Sequence, residues 1–444
     1  MEEVIRTKYD VLKYSLPLIL ASASDVLMTT VDTAFVGHIG TIEVAAVGLS
    51  GMFVWATYNL IKGVLVTTGA LISQKYGSEN YPKIRSIVTT GLLIALIGAA
   101  FFFFFRYCLG SVLHYMDASK EVQVAANSYL HIRYLGAFGF FGSIVFASFF
   151  RSVNLAKIVL KVSVIANVSN IILDYLFIFV LNKGLNGAAI ATVTSQWLCL
   201  IIYIAYYYNK MTCLVGDNYI KSKLIDIDEL IKLLKIGIPY SLKFFSEMMV
   251  FFLFVMMTGW ISNSALAATT IMLQIIVLTN MTGSGIGYAA QTLVGQKLGS
   301  NEIRKAKHLG KLCIKTNLII TISMSLVLLL LAKQIILLFN TDPDVAKTFA
   351  SIVILGCFVI NGDGLQIVIS HALNGASDTK SQFNYMLMTG YLFFLPVCYL
   401  LITRFENKIV YAWLAMAIFI AIFSILLLYR FLVGTWKVLQ ENKC

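Results

Sequence analysis

Leu12-Lys13-Tyr14-Ser15-Leu16-Pro17, near the start of the chain, returns as Leu234-Lys235-Ile236-Gly237-Ile238-Pro239. The two stretches open a pattern, residues 12–85 and 234–307, that aligns without a gap. Ala45-Ala46 returns as Ala267-Ala268, and Gln74-Lys75-Tyr76-Gly77-Ser78 returns as Gln296-Lys297-Leu298-Gly299-Ser300. The offset is 222 each time (12 to 234, 45 to 267, 74 to 296), half of the 444 residues. The chain therefore reads as two related halves.

Composition says what the halves are made of. Hydrophobic residues make up 59% of the chain and charged residues 13%, with a mean hydropathy of +0.83. Apolar runs of about 20 residues, long enough to cross a bilayer as helices, recur at 11–37, 44–72, 84–105, 124–150, 158–180, 185–208, 233–259, 265–293, 309–332, 346–373, 383–402 and 409–434. A transmembrane β-barrel would show short alternating segments instead. The expected fold is all-α and polytopic, with about twelve transmembrane helices in two pseudo-symmetric six-helix bundles. Six helices per half is even, so both halves enter the membrane from the same side. The repeat is then parallel, an arrangement found in carriers that rock one half against the other. The domains follow: 1–208 as an N-lobe, 209–232 as a polar cytoplasmic linker, and 233–444 as a C-lobe.

The net charge of +12 is distributed by topology rather than gathered for nucleic acid. Of 34 Lys and Arg, 24 fall on the side holding both termini and the linker, seven on the other side, and three (Lys62, Arg133, Lys243) within helices. The positive-inside rule puts both termini in the cytoplasm, in a plasma (inner) membrane protein. Seven scattered cysteines without a C-x-x-C imply neither disulfides nor a metal site. Arg6 to Ser24 superficially resembles a signal peptide, but the second half repeats the segment internally, where no signal could act. Loops are short, no P-loop is present, and no catalytic set stands out, so neither an enzyme nor an ATP-driven pump is expected.

Acids inside the membrane are costly, at roughly 2.5–3.5 kcal/mol each on insertion scales, and need a reason. Asp25 and Asp32 are seven apart and project from one face of the first helix. Asp25 sits at the repeat position of Glu247, which suggests acids at matched depth around a shared cavity. A bland alternative is that one of the first helix's acids neutralises Lys62. Asn170 and Asp174 are four apart on the fifth helix; with Asp32 and Thr192 they form an oxygen-rich set for a proton or Na⁺. The alternative is an Asn–Asp bond that locks helices together. Lys243 and Glu247, also four apart, form either an intrahelical ion pair or a site in which Glu247 meets a cation. Asp363 has Gln366 one turn on and lies in Asn361-Gly362-Asp363-Gly364, where two glycines are expected to loosen the helix. His131 and Arg133 are expected at the external mouth, with Arg133 snorkelling. His371 reads as a packed histidine. Met and Phe residues of the second half, Phe244 and Met248 among them, suit either packing or a pocket for organic cations.

These residues carry a resemblance. Val31-Asp32-Thr33-Ala34-Phe35-Val36-Gly37-His38-Ile39-Gly40 with Ala45-Ala46-Val47-Gly48, then Phe150-Arg151-Ser152, resemble segments of the multidrug and toxic compound extrusion (MATE) family, bacterial type. So do Asn170 to Asp174, Gly187 to Thr192, and Asp363-Gly364-Leu365-Gln366 through Asp378-Thr379. The resemblance implies an efflux antiporter of two six-helix bundles that exports cationic amphipathic compounds in exchange for Na⁺ or H⁺, with no cofactor beyond that ion. It implies cation or proton coupling at Asp32, Asn170, Asp174 and Thr192. It implies a substrate or second ion site at Glu247 and Asp363; the residues add Gln366 and Asp25. The expected partners are the lipid bilayer, small organic cations and the coupling ion, and a monomer is expected. Ser152 and Asn374 depart from the family's usual Gly and Arg, and Asp25 lies outside its pattern. A lipid or lipid-linked precursor flippase of the same superfamily is the alternative.

Overall fold

The structure, a computed structural model, describes residues 7–111, 119–215, 226–339, 342–405 and 408–434. Among these residues there are twelve helices long and apolar enough to span a membrane. They are α1 (Lys8–Gly37), α2 (Thr41–Gly77), α3 (Tyr81–Cys108), α4 (Lys120–Ser152), α5 (Ala156–Val180) and α6 (Gly184–Met211). The second half gives α7 (Ile227–Gly259), α8 (Asn263–Gly299), α9 (Ile303–Leu337), α10 (Pro343–Gly375), α11 (Lys380–Arg404) and α12 (Lys408–Val433). Each expected apolar run has its helix, so the all-α, twelve-span architecture holds. Within the expected linker, residues 216–225, with Asp217, Lys221 and Lys223, lie outside the described residues.

Most helices run a few residues beyond their apolar runs, and some are capped by polar side chains. Ser262 accepts from the Ala265 amide at 3.0 Å, and Asp342 from the Asp344 amide at 2.9 Å with Pro343 in the first turn. The repeated Gln-Lys-x-Gly-Ser ends α2 and α8 in one shape. Glu79 (φ 56) and Asn301 (φ 63) are both left-handed. Two residues past each serine the amide folds back, Asn80 to the Lys75 carbonyl and Glu302 to the Lys297 carbonyl.

Irregular turns interrupt or end several of the helices. A 3₁₀ turn at Tyr134–Gly136 interrupts α4. A π turn closes α5 at Leu176–Val180, and another spans Leu387–Phe394 in α11, where it takes up the amide and space that Pro396 denies the helix.

Two compact units emerge from backbone contacts: Leu20–Ser241, and Met1–Ile19 with Leu242–Cys444. The boundaries cut through α1 and α7, two residues past Pro17 and Pro239, and lie 222 residues apart like the repeat itself. In the first unit Gly63 of α2 meets Ser241; a Cβ there would stand 2.5 Å from the Ser241 Cα. In the second unit Gly285 of α8 meets Ile19, with the Ile19 Cα 2.8 Å from such a Cβ. Glycine is needed at both because the opposing atoms are main chain.

The second unit's core is aromatic, with Phe394 stacked on Phe419 at 5.0 Å and Trp413 edge-on to Phe254 at 5.5 Å. The first unit's core gathers Tyr58, Phe102, Tyr134 and Phe141. Large apolar side chains such as Phe104, Leu330 and Leu392 are exposed, as lipid-facing positions are.

Candidate functional site: two acidic clusters

In the first unit, α1 and α5 face each other through two polar rungs seven residues apart on each helix. At one rung Asn167 donates to Asp25 Oδ1 at 3.0 Å and to Ser24 Oγ at 2.8 Å. At the other, the carboxyls of Asp32 and Asp174 are electrostatic neighbours. Asn170 lies between the rungs and is fully buried. Asp32 Oδ1, both oxygens of Asp174 and both ends of the Asn170 amide are buried with no partner. Two ionised carboxylates so placed repel each other, and a proton or a cation between them would relieve that repulsion.

The other helices bring neutral oxygens. Thr192 of α6 donates its hydroxyl back to the Ala188 carbonyl at 2.9 Å and neighbours Tyr129. Tyr129 and Arg133, four apart on α4, both act electrostatically on the acids. Arg133 is half-buried, with its Nη1 enclosed and without a partner, and the 3₁₀ turn begins at the next residue, Tyr134. Among the described residues no three His, Cys, Asp or Glu side chains gather to hold a metal, so an ion here would also need the Asn170 and Thr192 oxygens. Lys62 and Arg151 lie within electrostatic reach of Asp25.

The second unit's cluster is closed. Lys243 Nζ pairs with Glu247 Oε2 at 2.7 Å and reaches Gln366 Oε1 at 3.4 Å. Gln366 Nε2 donates to Glu247 Oε1 at 2.5 Å and to Asp363 Oδ1 at 2.7 Å. Asn280 of α8 donates to Asp363 Oδ2 at 2.6 Å. The expected loosening of α10 at Gly362 and Gly364 does not occur: the helix is continuous from Pro343 to Gly375. The glycines serve close packing. A Cβ on Gly364 would stand 2.7 Å from Thr321, and one on Gly362 2.5 Å from Ile420. The space admits side chains that cap their carbonyls, Asn317 onto Gly364 at 2.9 Å and Ser424 onto Gly362 at 2.8 Å.

Sequence reasoning misses Asn167, Asn280 and Tyr129. The first continues the 167, 170, 174 stripe of α5, and Tyr129 lies one turn before the membrane-embedded Arg133; nothing marks Asn280. His371 is packed as expected, beside Gln291 at 3.0 Å.

A single family model, MatE, matches this chain twice, over residues 17–176 and 239–400. The two matches begin at the repeated prolines. The chain belongs to the MatE family. Its members are membrane transporters, not enzymes. A relative from Mannheimia succiniciproducens, a probable multidrug resistance protein NorM, is 27% identical over 94% of this chain and 91% of its own length. The multidrug resistance protein NorM of Photobacterium profundum is 24% identical over 90% and 89%. A crystal structure of MATE in the straight conformation superposes with a TM-score of 0.89 at 19% identity, covering 98% of both chains. An outward-facing multidrug resistance MATE family transporter of the MOP superfamily gives 0.87 at 20%, covering 97% and 96%. The fold of this MatE protein is thus that of the solved transporters.

Proposed function

We propose that the protein is a secondary active multidrug efflux antiporter of the plasma membrane, with both termini cytoplasmic. It exports cationic amphipathic compounds in exchange for H⁺ or Na⁺. The observation that carries the reading is the Asp32–Asp174 pair beside buried Asn170, in which Asp32 Oδ1 and both Asp174 oxygens are buried without a donor. A family of membrane carriers gives such a pair a use: it takes a small cation from one side of the bilayer and gives it up on the other. The NorM names of the relatives support drug efflux.

The chemistry follows from the cluster. Empty, the pair holds negative charge and attracts any cation. Filled by H⁺ or Na⁺, it loses that attraction, and a cationic drug is released. Coupling needs the ion and the drug to prefer opposite states of the carrier. Asn170, Thr192 and Tyr129 supply neutral oxygens to a bound ion, and Arg133 limits how much positive charge the site accepts.

The test uses purified protein in liposomes loaded with ethidium, under a Na⁺ gradient and a pH gradient applied separately. Wild type extrudes dye under one gradient, which names the ion, and Asp32→Asn slows it about tenfold or more, equivalent to about 1.4 kcal/mol. Dye transport by Asp32→Asn at the wild-type rate with the same ion dependence sinks the reading. No transport by wild type under either gradient sinks it too, and points to a lipid substrate.

A further inference from the structure

We propose that Lys243 is a tethered cation that fills the acidic site of the second unit, standing where the charge of an organic ammonium would bind. The inference deepens the antiporter reading and rests on it: ion coupling is then left to the first unit's cluster.

The surroundings of the ammonium make the case. Its side chain is 1% exposed. It meets a carboxylate oxygen at 2.7 Å and an amide oxygen at 3.4 Å. It lies 4.7 Å from the centre of the Phe244 ring and 5.8 Å from that of Phe423. Carboxylate, neutral oxygen and aromatic face together are the chemistry that recognises alkylammonium ligands. Here the ligand is a side chain. Gln366 and Asn280 supply donors to the remaining carboxylate oxygens, so the site is complete with no solute in it.

Stability does not account for the pair. Lys precedes Glu on the helix, the less favourable order for an (i, i+4) pair. A buried ion pair is commonly matched or bettered by well-packed apolar residues. The repeat supplies an internal control. Glu247 corresponds to Asp25, but Lys243 corresponds to Ala21. The first half keeps the acid without the tethered base and partners it with the neutral Asn167.

Lys243→Met therefore opens a cation site that the native chain keeps shut. Ethidium binding to the full-length protein in nanodiscs, read by fluorescence anisotropy, should tighten about tenfold in Lys243→Met, one decade in Kd. The gain should vanish in Lys243→Met/Glu247→Gln, and millimolar n-butylammonium should reverse it in Lys243→Met. Lys243→Gln, which keeps a donor for Glu247, should show the same gain and decides the matter if Lys243→Met does not fold. Wild-type affinity in the folded Lys243 variants, or a gain that survives Glu247→Gln, overturns the proposal. Because binding is read without a gradient, it decides the role of Lys243 even where wild type fails to transport.

Discussion

Glu247 and Asp363 present four carboxylate oxygens, and each accepts a hydrogen bond from Lys243, Gln366 or Asn280. Asp32 and Asp174 present the same chemistry, yet Asp32 Oδ1 and both Asp174 oxygens are buried with no donor at all. One cluster has an ammonium hydrogen-bonded to one of its acids. The other has Arg133 within electrostatic reach but no donor on these three oxygens. A carrier's coupling site must be unsatisfied in some state, since a site already neutralised has nothing to gain from an ion. On the proposed reading the difference divides the work: the first unit's cluster would exchange cations, and the second unit's would be held shut.

Stability separates the two clusters most strongly. Glu247→Ala leaves the Lys243 ammonium buried without its carboxylate, and should cost about 3–5 kcal/mol, read as a lower melting temperature of the purified protein. Lys243→Met/Glu247→Leu should recover most of that loss, since it removes both charges at similar volume. A melting temperature unchanged in Glu247→Ala would show that the cluster is not closed.

Asp174→Asn should act in the opposite sense. It removes a like charge beside Asp32 and adds an amide donor toward it, so the protein should gain about 1 kcal/mol, the worth of one net hydrogen bond. Ion-driven efflux should be lost in the same variant. Thermal stability that falls with Asp174→Asn would mean that the carboxylate is satisfied by something other than a transported ion.

The helices and the acids of both clusters are legible in the amino-acid sequence. Twelve apolar runs specify twelve helices because backbone groups in a bilayer have no other partners. Acids stand out in such runs by their cost. Their satisfaction is not legible in the same way. Asn280 and Asn167 decide which carboxylates are at rest, but a lone amide in a membrane helix carries no periodic or charge signal. Gly362 and Gly364 mislead for a related reason. Glycine marks both a weak helix and a close approach, and only the neighbours Thr321 and Ile420 tell them apart.

The halves should be equal where they cross main chain. Gly63→Ala forces a methyl against Ser241 and Gly285→Ala forces one against Ile19, each against backbone that cannot rotate away. Overpacking of this kind costs about 1–3 kcal/mol, and the two variants should match within the error of a melting curve. A large difference would break the symmetry of the two contacts.

The smallest effect contrasts the repeated lysines. Lys75 finds Glu229 of α7 at 3.8 Å, whereas its counterpart Lys297 finds the nearby Glu302 at 3.2 Å, with Lys305 on the same carboxylate at 2.8 Å. Glu229 is buried and Glu302 lies in the turn between α8 and α9, outside the spans. Hydrogen bonds from Lys305 and then Lys297 hold the Glu302 carboxyl below its ordinary value of 4.5. A carboxylate whose value falls on folding stabilises the protein above its unfolded value, and that contribution disappears as pH drops through the folded one. Glu302→Gln should therefore melt slightly below wild type at neutral pH, and the gap should close as pH falls below 4.5. Glu229→Gln should lower the melting temperature more, because its charge is partnered away from solvent. Melting curves from acid to neutral pH check both, and a gap for Glu302→Gln that widens in acid would reverse the sign of the argument.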